Sequence, residues 1–203
     1  MKLYQYIYSD SSMRVRIYLA EKGIEVPFES VDISRGESHT PAFIAKNPLG
    51  QVPVLELDDG SHLAESIAIC RYFEELHPEP ALFGRDPKER AEIEMWSRRV
   101  ELTFAHPVQR VYRLRFHSNG ALSAAAQDAI EVMEQSGARA AARFFDQTLE
   151  QRDFLAGADY SIADIMALCT YGMAQMLHIP LDPDLPHLRR WHESVSSRPS
   201  ARA

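Results

Sequence analysis

Apolar and polar positions follow two different rhythms along this chain, and the change falls near residue 78. Residues 3–8 form an aromatic and apolar run of strand type, and the hydroxyl-rich Ser9, Asp10, Ser11 and Ser12 after it can cap a helix. Val15, Ile17, Leu19 and Ala20 give that helix its apolar positions over 13–22, and Gly23 stops it. Residues 26–33 read as a second strand and 40–46 as a short helix. Residues 52–57 and 62–64 read as strands joined at Asp58, Asp59 and Gly60, because Asp-Gly between apolar runs is a strong hairpin signal. Ser66 is the natural N-cap of a helix over 67–76. The predicted order is β-α-β-α-β-β-α.

Pro78, Pro80 and Pro87, with Gly84 among them, then break the pattern, and strand signals almost vanish. Residues 88–118 read as one long helix kinked at Pro107; 123–151, 161–177 and 185–196 read as three more. The expected organisation is therefore an α/β domain over 1–77, a linker over 78–87 and an all-helical domain over 88–203. The order in the first domain is the thioredoxin arrangement, a mixed sheet covered by helices. No internal repeat is visible.

Composition narrows the picture little. The chain has 203 residues, 45% of them apolar and 25% charged, as in ordinary globular proteins. Its net charge of −7 argues against nucleic acid as the main partner, and Arg110, Arg113 and Arg115 read as a solvated helix face. No apolar run reaches the ~18 residues of a membrane span, and no leader is apparent before residue 3, so a cytoplasmic protein is expected. Cys70 and Cys169 are too few and too far apart for a disulfide framework or a metal site; they read as buried thiols, and no metal is expected.

The chemistry concentrates in residues 51–66. A proline cannot donate to a sheet ladder, so Pro53 belongs at the start of its strand. A cis bond there would turn the Val52 backbone outward, where its N–H and C=O could pair with an extended peptide. Glu65 could receive an ammonium group, while the Ser66 hydroxyl and the helix N-terminus receive a carboxylate. Together they suit the zwitterionic end of a small peptide.

The run V-P-V-L-E-L-D-D-G-x-x-L-A-E-S-x-A-I, in its two-domain setting, resembles the cytosolic glutathione transferases over nearly the whole chain. The stretch A-K-N-x-x-G-x-V-P-V-L-E-L-D-D-G is similar to an atypical yeast-type subgroup, and other features to theta- and zeta-like members. The resemblance implies that Val52 pairs with the cysteinyl part of glutathione, that Pro53 is cis, and that Glu65 and Ser66 hold the γ-glutamyl end with Gln51 nearby. It also implies that His39, or Lys46 in its place, meets the glycine carboxylate. Ser161 and Asp164 have capping-box spacing and resemble the family's folding motif, a structural role.

Such enzymes lower the pKa of the glutathione thiol with a hydrogen bond near a helix N-terminus. Ser11 is the first candidate for that group and Ser9 the second, with Ser12 third because it has the best claim to capping the helix. A water held by helical-domain side chains, near His117 and Ser118, is the remaining alternative. Met13, Phe104, Val108, Tyr112, Phe116 and His117 are expected to line the electrophile pocket. The resemblance thus implies a homodimeric detoxification transferase that conjugates glutathione to a small hydrophobic electrophile or reduces a peroxide. A glutathione-dependent isomerase or dehalogenase is the alternative within enzymes, and a non-catalytic interaction protein the alternative outside them.

Overall fold

The structure, a computed structural model, describes residues 1–117 and 120–203. It divides into two compact units, Met1–Leu82 with Pro199–Ala203, and Phe83–Arg198.

The first unit is built on strands β1 (Lys2–Gln5), β2 (Phe28–Ser30), β3 (Val54–Glu56) and β4 (His62–Ala64) in the order β2-β1-β3-β4. β1 pairs parallel with β2 and antiparallel with β3, and β3 pairs antiparallel with β4. This is the mixed sheet expected, with shorter strands. Helices α1 (Asp10–Lys22), α2 (Pro41–Ile44) and α3 (Ser66–Leu76) complete the unit. Tyr4, Val31, Phe43, Val52 and Val54 form a buried cluster, so the loop before Pro53 is tied into the core by its own valine.

A second anchor is polar. The Lys22 ammonium is fully buried, 2.6 Å from Glu74, and donates to the carbonyls of His77 and Pro80 at 2.7 and 2.5 Å. Tyr18 donates to the same Glu74 at 2.6 Å, and burial together with that carboxylate pushes the phenol far above its usual range. The paired ammonium fixes the end of α1 against the end of α3. Pro199–Ala203 packs on α1 in this unit, although its sequence reads as part of the helical domain. Arg16 Nε donates to the Ala203 carbonyl at 3.2 Å, and Ser200 donates to Glu21.

The second unit is helical: α4 (Pro87–Val100), α5 (His106–Phe116), α6 (Ala124–Leu149), α7 (Ile162–Met176) and α8 (Pro186–Ser196). The long helix expected over 88–118 is interrupted, because Glu101–Ala105 forms a π-helical turn just before Pro107. Proline has no N–H for the preceding turn, and the wider turn absorbs the mismatch. Ser161 and Asp164 form the expected capping box at the start of α7. Among the described residues no helix is long and apolar enough to cross a membrane, and no group of three or more His, Cys, Asp or Glu could hold a metal ion. Cys70 and Cys169 are buried and form no disulfide.

Candidate active site

The hairpin fixes which residues meet. Val54 lies opposite Ala64 at the end of the β3–β4 ladder, so continuing that register brings Pro53 and Val52 beside Glu65 and Ser66. The Val52–Pro53 peptide is cis, and the β1–β3 pairing also ends at Val54, leaving Val52 beyond the strand register. The preceding loop is braced by buried Asn47, whose Nδ2 donates to the Gln51 carbonyl at 2.8 Å and whose Oδ1 accepts from the Leu49 amide at 3.2 Å. Gly50 has φ 63°, and a Cβ there would come within 2.6 Å of the His39 ring. The sequence-predicted Gln51, Val52, Pro53 and His39 are therefore neighbours, with exposed Glu65 across the ladder. Lys46 is engaged elsewhere: it stands over the Tyr4 ring, 3.4 Å from Glu56.

One local expectation is corrected. Ser66 is the first residue of α3, and the N-cap is Glu65, which makes no side-chain capping bond. Glu65 has φ 67°, a backbone region that L residues avoid, as the chain turns from β4 into α3 within one residue. The buried Ser66 hydroxyl, released from capping, accepts from Nη1 of Arg14 at 2.7 Å. Arg14 and Asn47 are the supporting residues that sequence reasoning missed. Two arginines, Arg14 and Arg16, stand among Met13, Val15 and Ile17, and a charge in such a helix run was the signal for Arg14, since a buried charge needs a partner.

The three candidate serines occupy different environments at the start of α1. Ser9, rather than Ser12, is the N-cap, its Oγ accepting from the Ser12 amide at 3.3 Å. Ser12 is completely buried and its hydroxyl accepts from the Tyr6 amide at 3.3 Å, which makes it an internal brace. Ser11 remains partly exposed in the first turn, with its hydroxyl donating to Asp10 at 3.4 Å. It combines access, hydroxyl chemistry and the positive end of a helix.

The residues expected around the electrophile fall in both units. Met13 is partly buried on α1. Phe104 and Val108 are instead packed interior of the helical unit, Phe104 lying edge-on to Phe145 at 5.8 Å, because the apolar stripe faces α6. Tyr112 contacts Phe116 and His117 at 5.1 and 5.3 Å, and Phe116 is 62% exposed. Ser118, the expected partner of His117 in holding a water, lies outside the described residues.

Residues 3–81 match the glutathione S-transferase N-terminal domain and residues 103–199 its C-terminal domain. The chain is 33% identical to glutathione S-transferase 2 of Saccharomyces cerevisiae over 195 residues, 93% of this chain and 82% of that one. It is 50% identical to the maleylacetoacetate isomerase of Pseudomonas aeruginosa over 93 residues, 45% of this chain and 44% of the isomerase. The crystal structure of a glutathione S-transferase domain-containing protein from Marinobacter aquaeolei superposes with a TM-score of 0.89 at 34% identity, covering 98% of this chain and 99% of that one.

Proposed function

The chain belongs to the glutathione S-transferase family, and from that premise we propose that residues 51–66 hold glutathione while Ser11 promotes ionisation of its thiol. One observation carries this reading: the hairpin register that sets the Val52–Pro53 peptide beside Glu65 and Ser66. Val52 offers backbone N–H and C=O to the cysteinyl residue, as an added strand would. Glu65 takes the ammonium of the γ-glutamyl group; Ser66 and the α3 N-terminus take its carboxylate. His39 takes the glycine carboxylate, and Gln51, next to Val52, stands near the γ-glutamyl end. The thiol then comes to the start of α1, where the Ser11 hydroxyl and the helix N-terminus favour the thiolate. The thiolate attacks an electrophilic carbon, a carbon–sulfur bond forms, and the leaving group departs with its electron pair. The protein acts in the cytoplasm as a homodimer that uses α3 and the α4–α5 stretch.

The test is retention on glutathione-agarose followed by assays with chlorodinitrobenzene and with cumene hydroperoxide. Retention with turnover of either substrate is expected; absence of retention overturns the reading. Light scattering tests the dimer. The isomerase relative supports a second reaction, reversible addition of the thiolate to a cis alkene, rotation about the resulting single bond, and elimination. Isomerisation of maleylacetoacetate that requires added glutathione would establish it.

A further inference from the structure

Arg14 is a cation in a place that needs explaining. It sits on α1 beside Val15, which is fully buried, and is itself only 6% exposed. Its Nη1 donates to the Ser66 hydroxyl at 2.7 Å, while its Nη2 is 3.9 Å from the Asp10 carboxylate, beyond hydrogen-bonding distance. Its Nε–H is buried with no hydrogen-bond partner among the described residues. A buried guanidinium held by one neutral oxygen and one distant carboxylate is under-compensated, and burial of charge is tolerated when an anion completes the set. The oxygen it holds belongs to the first residue of α3, where unpaired helix amides also favour negative charge. Two independent positive features therefore converge on Ser66.

The hydroxyl decides what Arg14 does there. A serine hydroxyl has one hydrogen and two lone pairs. Arg14 can only donate, so it occupies a lone pair and leaves the Ser66 hydrogen for an acceptor. We propose that Arg14 is a positioning residue of the glutathione site, fixing the Ser66 hydroxyl so that its hydrogen points to the γ-glutamyl α-carboxylate and supplying the positive charge that carboxylate meets. This rests on the reading of residues 51–66 given above. Asp10, 3.9 Å from the other edge of the guanidinium, accepts from Ser11, so Arg14 lies near the first turn of α1 as well as Ser66.

The probes are glutathione and 4-aminobutyryl-Cys-Gly, which keeps the amine and lacks only the α-carboxylate, titrated by calorimetry into the full-length protein. Arg14→Met is expected to weaken glutathione about 10–100-fold, the loss of a charge-supported hydrogen bond, and to change 4-aminobutyryl-Cys-Gly by less than about twofold. Ser66→Ala should show the same selectivity. The double variant should be no weaker than the worse single one, because the two residues act through each other. In steady state Arg14→Met should raise KM for glutathione more than it lowers kcat. Equal losses for both tripeptides, or additive losses in the double variant, overturn the proposal while leaving the glutathione reading intact. Absence of binding by the unaltered protein overturns both. If Arg14→Met does not melt cooperatively, Arg14→Lys decides: it keeps charge without the planar fork, so the preference for glutathione should narrow, and an unchanged preference overturns the proposal.

Discussion

The indole N–H of Trp191 donates to Oδ1 of Asp164 at 2.9 Å and so ties α8 to the first turn of α7. The same carboxylate is completely buried and accepts from the Leu155 amide at 2.9 Å and from the Ser161 amide and hydroxyl at 3.1 and 3.0 Å. Burial pushes this carboxyl up, while the four donors pull it the other way. Asp164→Ala strands the Leu155 and Ser161 amides and the Trp191 indole in an apolar interior. The expected loss is about 3–5 kcal/mol, seen as a drop of roughly 10 °C in melting temperature. Asp164→Asn keeps one acceptor oxygen and should fall between. An alanine variant melting within about 2 °C of the parent would refute the assignment.

His192 gives the helical unit a pH dependence. Its ring lies 4.3 Å from that of Tyr171, tilted by 33°, and burial holds its pKa below the usual histidine value, with Glu193 opposing the shift. The folded state thus favours the neutral ring, and the unfolded chain binds the proton more readily. This contribution is fully present above the unfolded pKa of about 6.5 and is lost as pH falls through the folded value. His192→Phe keeps an aromatic ring against Tyr171 without the titration. Melting curves from pH 7.5 to 5 should fall less steeply for the variant than for the parent. Parallel curves would assign the acid sensitivity to other groups.

Much of this was legible in the sequence, and the errors share a cause. The Asp-Gly hairpin, the strand after Pro53 and the helix after Glu65 followed from turn chemistry and apolar spacing, which are local. Both capping assignments slipped because several serines or a Glu-Ser pair offer equivalent residue types, and the choice depends on backbone angles imposed from elsewhere. Glu65 takes a positive φ because the β3–β4 register fixes Ala64 while α3 must begin at Ser66. The apolar stripe through Phe104 and Val108 showed which face is covered but not what covers it. Arg14 stood in plain view between Met13 and Val15, yet its reach to Ser66 spans fifty-two positions of sequence.

The backbone at Glu65 makes an unusual pairing of effects. A non-glycine residue at φ 67° is strained by about 1–3 kcal/mol, which glycine relieves. Glu65→Gly should therefore raise stability, by about 1 kcal/mol after the added freedom of the unfolded chain is counted. The same change removes the carboxylate assigned to the γ-glutamyl ammonium. Retention on glutathione-agarose should fall, with KM for glutathione up tenfold or more, since a charge-assisted hydrogen bond contributes about 1.5–3 kcal/mol. A more stable protein with weaker binding is the expected outcome. Stability lost together with binding would mean that Glu65 supports the fold instead.

The three serines at the start of α1 should separate cleanly by measurement. Ser9→Ala removes the N-cap and should lower stability by about 1 kcal/mol with little effect on thiol chemistry. Ser12→Ala removes the internal acceptor of the Tyr6 amide and should lower stability by about 1–3 kcal/mol. Ser11→Ala should leave the melting temperature within about 2 °C, because its hydroxyl makes a long bond of 3.4 Å to Asp10. Its effect should appear in the thiol instead. Losing one hydrogen bond to a thiolate raises the pKa of bound glutathione by about 1 unit or more, given about 1.4 kcal/mol per unit. The thiolate absorbance of the complex should then appear at higher pH, and conjugation at neutral pH should fall about tenfold. If the titration curve of Ser11→Ala overlays that of the parent while Ser9→Ala shifts it, the cap serine is the group that holds the thiolate.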